Sequence, residues 1–232
     1  MTMVIAHRGL HREAPENTVR AFSEARSVGC DGVELDVRRT RDGALVVHHD
    51  AELASGSAIA ELTCRQLPAG LPTLEEAMIA CEGMIVNVEI KNSPHEARYD
   101  DTGALAHQVV AEIDELGRLD AVIISSFDLA TCEAVRRASD QVPVGLLLDW
   151  RGDPSPFVAV AFERGLSAIH PFFHGVDASL VESAHGRGIA VNVWTVNAAE
   201  EMARLAKLDV DALITDDPVL AQSTLAEMGR SS

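Results

Sequence analysis

The sequence predicts a (β/α)8 TIM barrel with a short insertion after the second barrel strand. Short β-rich runs alternate with longer amphipathic segments from end to end, the pair recurs eight times, and the connections are short. An open doubly wound sheet would usually show a glycine-rich first turn. Here that turn is His7-Arg8-Gly9, with no G-x-G-x-x-G.

Taken in order, the first strand is expected at 3–6, where Met-Val-Ile-Ala is uniformly apolar. The second, at 32–37, alternates Val33, Leu35 and Val37 with Glu34 and Asp36, so one side is apolar and the other carboxylate. The third to fifth are expected at 84–90, 121–125 and 144–148, and the last three at 168–169, 189–193 and 212–214. The sixth and eighth are the shortest. Helices are expected at 18–28, 74–81, 104–116, 129–138, 156–164, 178–186, 198–205 and 219–227, with Asn17, Thr73, Asp128, Ser155, Asp177 and Asn197 as N-caps. A hairpin-like extension, Leu45-Val-Val-His-His-Asp50, follows the second strand. The mixed segment 51–72 then departs from the repeat and reads as a functional loop or small inserted element. Residues 1–232 are expected to form one domain.

The 47% hydrophobic content suits a sizeable core, and at 4% aromatic that core must be mostly Ala, Val, Leu and Ile. A formal charge of −17 repels nucleic-acid backbone and anionic membranes, so neither a nucleic-acid partner nor stable membrane association is expected. Cys30, Cys64, Cys81 and Cys132 show no C-x-x-C spacing, which disfavours zinc and redox motifs. With the first strand beginning at Met3 and no apolar run of membrane-spanning length, a cytoplasmic location is expected.

In such a barrel, chemistry belongs where strands end and βα loops begin. His7 and Arg8 leave the first strand, and Glu34 and Asp36 stand on the second. Glu89 and Lys91 come at the exit of the third, Phe127 after the fourth and Trp194 at the end of the seventh. Three carboxylates without a cysteine describe an all-oxygen site for a hard cation, Mg2+ or Ca2+ rather than zinc. With a divalent ion, Glu34, Asp36, Glu89, Arg8 and Lys91 leave a net charge of about +1, suited to a singly charged phosphodiester. His7 and His49 could serve as acid and base, because imidazole titrates near neutral pH. Trp194 and Phe127 are candidate walls for the substrate. His170, His174 and Asp216 lie at the same end, where structural hydrogen bonding accounts for each equally well. Asn17 reads as a helix cap, and His11, His95, His107 and His185 as solvated.

The ordered set His7-Arg-Gly9, Pro15-Glu-Asn-Thr18, Gly32-Val-Glu-Leu-Asp-Val37, Val46-Val-His-His-Asp50, Val88-Glu-Ile-Lys91, Ser125-Ser-Phe-Asp128, Val193-Trp-Thr-Val-Asn197 and Ile214-Thr-Asp-Asp-Pro218 resembles the glycerophosphodiester phosphodiesterase family. The likeness runs from residue 5 to about 220. It implies hydrolysis of glycerophosphodiesters to sn-glycerol 3-phosphate and an alcohol. It also implies Glu34, Asp36 and Glu89 as ligands of one divalent cation, His7 and His49 as an acid–base pair, and Arg8 and Lys91 as phosphate holders. His49 is preferred to His48 for its place beside Asp50. The family's usual Arg-Thr stretch after His-Asp is missing from 51–60, and the insertion looks shortened. A more open mouth is expected to admit bulkier diesters, including lysophospholipids. The alternatives are thus a lysophospholipase D-like or other diester hydrolase, or a barrel that binds phosphodiesters without turnover.

Overall fold

The computed structural model describes residues 2–96, 98–149 and 152–230. Eight parallel strands close on themselves: β1 (Met3–Ala6), β2 (Gly32–Arg39), β4 (Ile85–Ile90), β5 (Val122–Ser126), β6 (Val144–Leu147), β7 (Ala168–His170), β8 (Ala190–Val193) and β9 (Ala212–Thr215). Pairing of β1 with both β9 and β2 completes the ring. The hairpin expected at 45–50 is present as β3 (Leu45–Val47), antiparallel to the end of β2 and hence a ninth strand outside the ring. The helices are α1 (Val19–Ser27), α2 (Leu74–Ala80), α3 (Ala104–Glu115), α4 (Leu129–Ala138), α5 (Ser155–Glu163), α6 (Ala178–His185), α7 (Ala199–Lys207) and α8 (Pro218–Arg230). None is long and apolar enough to cross a membrane.

Strand alternation decides what lies on each side of the barrel wall. Val33, Leu35 and Val37 of β2 and Val86 and Val88 of β4 pack with Phe22, Leu74 and Met78 of the helices in one large core. The other face of β2 turns Glu34 and Asp36 inward, both almost fully buried. In register, Asp36 pairs with Glu89 and Glu89 with Ser125, so the acids of neighbouring strands stand side by side. Inside the ring a small cluster of Ile5, Ala212 and Ile214 packs with Met3 and Trp194, and polar groups occupy much of the remainder. His170 is one of them. Its ring lies so close to Gly145 that an added Cβ there would collide with Nε2, and Nε2 also faces the Asn192 amide at 3.0 Å. Burial pushes His170 down to about 3, so it stays neutral.

Three helix starts follow expectation: Thr73, Asp128 and Asp177 each accept the backbone N–H three residues on, and Thr73 forms a reciprocal capping box with Glu76. Three do not. Thr18, not Asn17, caps α1, because Asn17 adopts a left-handed φ of 56° and sends its amide to Asp36. Ser155 is the first residue of its helix, with no side-chain cap before it. Asn197 precedes the uncapped start at Ala198 and is committed to Thr215 and Asp216 instead. The fourth barrel strand begins at Val122 rather than Ala121, since Leu119–Ala121 forms a 3-10 turn. The segment 51–72 carries two further 3-10 turns, Ile59–Glu61 and Cys64–Gln66.

The turn after β1 is tight. Arg8 and Gly9 both have positive φ, at 55° and 84°, and a Cβ on Gly9 would lie 2.8 Å from Ala21. Only glycine meets both demands. Gly9→Ala is expected to cost roughly 1–3 kcal/mol, read as a lower denaturation midpoint in urea. An unchanged midpoint would show that this turn is not under the constraint described.

Candidate functional site

The inward carboxylates of β2 and β4 meet at the C-terminal mouth of the barrel. Oxygens of Glu34, Asp36 and Glu89 all lie within 4.8 Å of one another. Two cations sit among them. The Lys91 ammonium, one strand step beyond Glu89, is 2.7 Å from Glu89 and 3.0 Å from Asp36. Arg8 approaches from the β1 turn, with Nε 3.3 Å from Asp36 and its backbone N–H donating to Glu34 at 3.0 Å. The Asn17 amide donates to Asp36 at 2.7 Å.

These neighbours split the three acids electrostatically. Burial raises the Asp36 carboxyl, but Lys91 and Arg8 outweigh it and hold the group below the usual range. Glu34 is pushed well up by burial, with Asp36 and Glu89 adding like-charge repulsion. Burial lifts Glu89 to about 7 despite Lys91 beside it. Glu34 Oε1 is buried without a hydrogen-bond partner. Hard oxygen donors, an orphaned carboxylate oxygen and unrelieved repulsion together fit a divalent cation, Mg2+ or Ca2+, held by these three residues. Nothing in the donor set separates the two ions.

Both candidate histidines are backed by a carboxylate through Nδ1. His7 Nδ1 is 2.6 Å from Asp216 Oδ1, and its Nε2 lies 3.9 Å from Glu34. His49 Nδ1 is 2.7 Å from Asp50. With Nδ1 protonated toward an acid, each ring leaves Nε2 for chemistry. Burial and the positive charge of Lys91 lower His49, which favours its neutral form. His49 rather than His48 lines the roughly 360 Å³ cavity that also contains Glu89, Lys91 and Phe127. Arg38 fixes this corner by donating Nε and Nη2 to the His49 carbonyl, at 2.9 and 2.7 Å, while pairing with Glu96.

Phe127 is exposed and packs edge-on against Trp194, centroids 5.5 Å apart, and Phe172 meets Trp194 at the same distance. Trp194 donates its indole N–H to the His170 carbonyl, so this aromatic ridge is anchored to β7.

All nine predicted site residues are thus placed at one mouth of the barrel. Three residues support the site in ways the sequence did not decide: Asp216, left open between structure and function, Asn17 and Arg38. Asp216 backs His7 rather than serving the fold alone, and Asn17 supports Asp36 rather than a helix end. His11 lies 3.3 Å from Asp216 instead of being merely solvated, and Arg38 holds the His49 backbone. His185 likewise pairs with Asp211 at 2.9 Å. The run Thr215-Asp216-Asp217 at a strand exit was the available signal for Asp216.

Acids gathered for a hard cation beside fixed positive groups are an arrangement that enzymes working on phosphate esters use. This chain falls within one family of that class. The model described as the glycerophosphoryl diester phosphodiesterase family matches residues 7–220, and the chain belongs to that family, which is hydrolytic and generally dependent on a divalent metal. The chain is 34% identical to a glycerophosphodiester phosphodiesterase of Caldanaerobacter subterraneus, over 94% of this chain and 95% of the relative. A crystal structure of a glycerophosphodiester phosphodiesterase from Parabacteroides distasonis is 26% identical and superposes with a TM-score of 0.86, covering 98% of each chain. An Oleispira antarctica phosphodiesterase, solved with the product sn-glycerol 3-phosphate, is 25% identical, with a TM-score of 0.83 and 97% of each chain covered.

The raised Glu89 carboxyl has a thermodynamic signature. A carboxyl whose folded-state value exceeds its unfolded one favours folding below about 4.5, and that contribution is lost as pH rises through about 7. Glu89→Gln removes the titration. In chelator, this variant is expected to melt above wild type at pH 8, with the gap closing toward pH 5. A gap that does not change with pH would contradict the assignment.

Proposed function

We propose that this chain hydrolyses glycerophosphodiesters to sn-glycerol 3-phosphate and an alcohol, using His7 and His49 as an acid–base pair. The carrying observation is the juxtaposition of two carboxylate-backed imidazoles with a three-acid, two-cation cluster at one barrel mouth. The product bound in the Oleispira relative supports the choice of substrate class. Glu34, Asp36 and Glu89 would hold one divalent cation, which when bound supplies positive charge to the phosphoryl oxygens. Arg8 and Lys91 orient the phosphate and add to that charge.

His49, kept neutral by burial and by Lys91, takes the proton of the substrate's neighbouring glycerol hydroxyl at Nε2. That oxygen attacks phosphorus as the P–O bond to the alcohol breaks. His7 donates the Nε2 proton to the leaving oxygen, and the Asp216 carboxylate stabilises the imidazolium before it gives the proton up. The product is a cyclic phosphate. In the second step His7, now neutral, takes a proton from water, which adds to phosphorus. His49 returns its proton to the glycerol oxygen as the ring opens. Phe127 and Trp194 wall the side on which the alcohol leaves.

A second reading is favoured by one observation. Beside the Phe127 ridge lies a cavity of about 440 Å³ lined by Leu146, Leu147, Leu148, Pro154 and Phe157. An apolar wall of that kind suits an acyl chain, as in a lysophospholipase D-like reaction.

Glycerol 3-phosphate release from glycerophosphoethanolamine is expected with added Mg2+ or Ca2+ and is expected to stop in chelator. His7→Ala and His49→Ala should each lower kcat by roughly 10²–10⁴ with an unchanged circular-dichroism spectrum. Full activity in either variant, or activity surviving in chelator, would overturn the mechanism. For the second reading, kcat/KM is compared between glycerophosphocholine and its monoacyl form. A higher value for the acylated substrate selects the lysophospholipase reading; a lower one excludes it.

A further inference from the structure

The Asp216 carboxylate carries two histidines, and the mechanism uses only one. His7, His11 and Asp216 each offer a ligand atom within 4.8 Å of the other two, with His7 Nδ1 2.6 Å and His11 Nε2 3.3 Å from Asp216 Oδ1, and all three residues are partly buried. We propose that this His–His–Asp group is a second metal site, selective for a borderline-soft divalent ion of the zinc class, and that its occupation switches the enzyme off.

Four observations support a built site. The donor set differs in kind from the neighbouring one, with two imidazoles and one carboxylate against three carboxylates, so the two sites prefer different ions. The spacing suits a small tetrahedral ion. With bonds of about 2.0 Å, the edge of the tetrahedron is roughly 3.3 Å, and His11 Nε2 stands 3.3 Å from Asp216 Oδ1. The His7–Asp216 contact of 2.6 Å is a hydrogen bond that would open by roughly 0.7 Å on metal entry. The carboxylate is also oriented from behind: the Asn197 amide donates to Asp216 Oδ2 at 2.6 Å, and the Asp216 N–H donates to Asn197 Oδ1 at 2.9 Å. Finally, the loop bearing both histidines is fastened to the same strand end as the acid. The His7 N–H donates to the Thr215 carbonyl, and Arg12 pairs with Asp217. The three donors therefore share one rigid frame.

Inhibition follows from the chemistry of imidazole and rests on the His7 role proposed above. In the working enzyme Nδ1–H points at Asp216 and Nε2 exchanges a proton. A metal bound at Nδ1 fixes the ring's single proton on Nε2. That nitrogen then has no lone pair to accept a proton, and giving up its only proton would leave an imidazolate, a far weaker acid than the imidazolium it replaces. Substrate binding at Arg8, Lys91 and the three acids is untouched, so kcat falls and KM does not.

The test uses the magnesium-saturated enzyme, titrated with Co2+ for spectroscopy and Zn2+ for kinetics. One equivalent of Co2+ is expected to give the intense visible absorption of a four-coordinate nitrogen–oxygen site. Micromolar Zn2+ is expected to lower kcat at least tenfold with KM unchanged. His11→Asn should keep basal activity within about twofold, lose the Co2+ band and resist Zn2+ by tenfold or more; His11→Gln provides a second variant if the first is poorly folded. The proposal is overturned if Zn2+ inhibits wild type and both variants alike and excess Mg2+ reverses it, because zinc is then displacing the ion at Glu34, Asp36 and Glu89. Absence of the Co2+ band also overturns it. The optical arm needs no turnover, so a protein that binds Co2+ in this way but hydrolyses no diester separates failure of the functional reading from failure of the site.

Discussion

Three carboxylates buried within 4.8 Å of one another are the constraint on which the rest of this structure depends. Taking one ionised carboxylate out of water costs several kcal/mol even after relaxation, and like charges at this range add to it. Without a cation, the fold meets that cost by distributing it. Asp36 keeps its charge because Lys91, Arg8 and the Asn17 amide all face it, whereas Glu34 and Glu89 are driven toward protonation. The arrangement is poised rather than relaxed. It forms in the barrel wall with charge repulsion that a divalent ion would relieve.

The closed ring makes this possible. Each acid comes from a strand pinned on both sides, so repulsion cannot splay them apart, and the register that sets Asp36 against Glu89 keeps both buried. Loops then bring in what the strands lack. The β1 turn delivers His7 and Arg8 while bonded to β9, and the β3 hairpin delivers His49 while tied to β2 through Arg38. The two imidazoles thus come from elements anchored independently, each with its own carboxylate. The alternating roles proposed for His7 and His49 need groups of similar build, and Asp216 and Asp50 provide that similarity.

Legibility in the sequence followed the range of the interaction. Period-two alternation marked Glu34 and Asp36 as one face of one strand, and strand exits marked His7, Lys91 and Trp194, because these are local properties of the chain. Helix caps were read correctly where the side chain had no other employment, as at Thr73, Asp128 and Asp177. They were misread at Asn17 and Asn197, whose amides are taken by Asp36 and Asp216 from other strands. His11 was missed for the same reason: its partner lies 205 residues away, beyond any local pattern. Arg38 carried no signal in the sequence, because the carbonyl it holds, that of His49, is brought to it only by the β3 hairpin.

The same contrast between local and global holds for charge. The whole chain carries −17, yet beside Lys91 a cavity of roughly 740 Å³ is lined by Arg38, Arg39, Arg41 and Arg98 together with Asp42, Glu52 and Glu96. Several of these are already neutralised, Arg38 by Glu96 and Lys91 by Glu89 and Asp36, so the cleft is not a bare positive sink. What it offers an anion is a short-range gradient inside a long-range negative field. At physiological ionic strength the field of the outer surface is screened within about 8 Å, while contacts inside the cleft are screened far less. A small diester reaching the mouth therefore feels the arginines and not the surface. An extended polyanion would have most of its length outside the cleft, against the surrounding acids. Size and screening thus bear on which anions reach this cleft as much as the charged residues that line it.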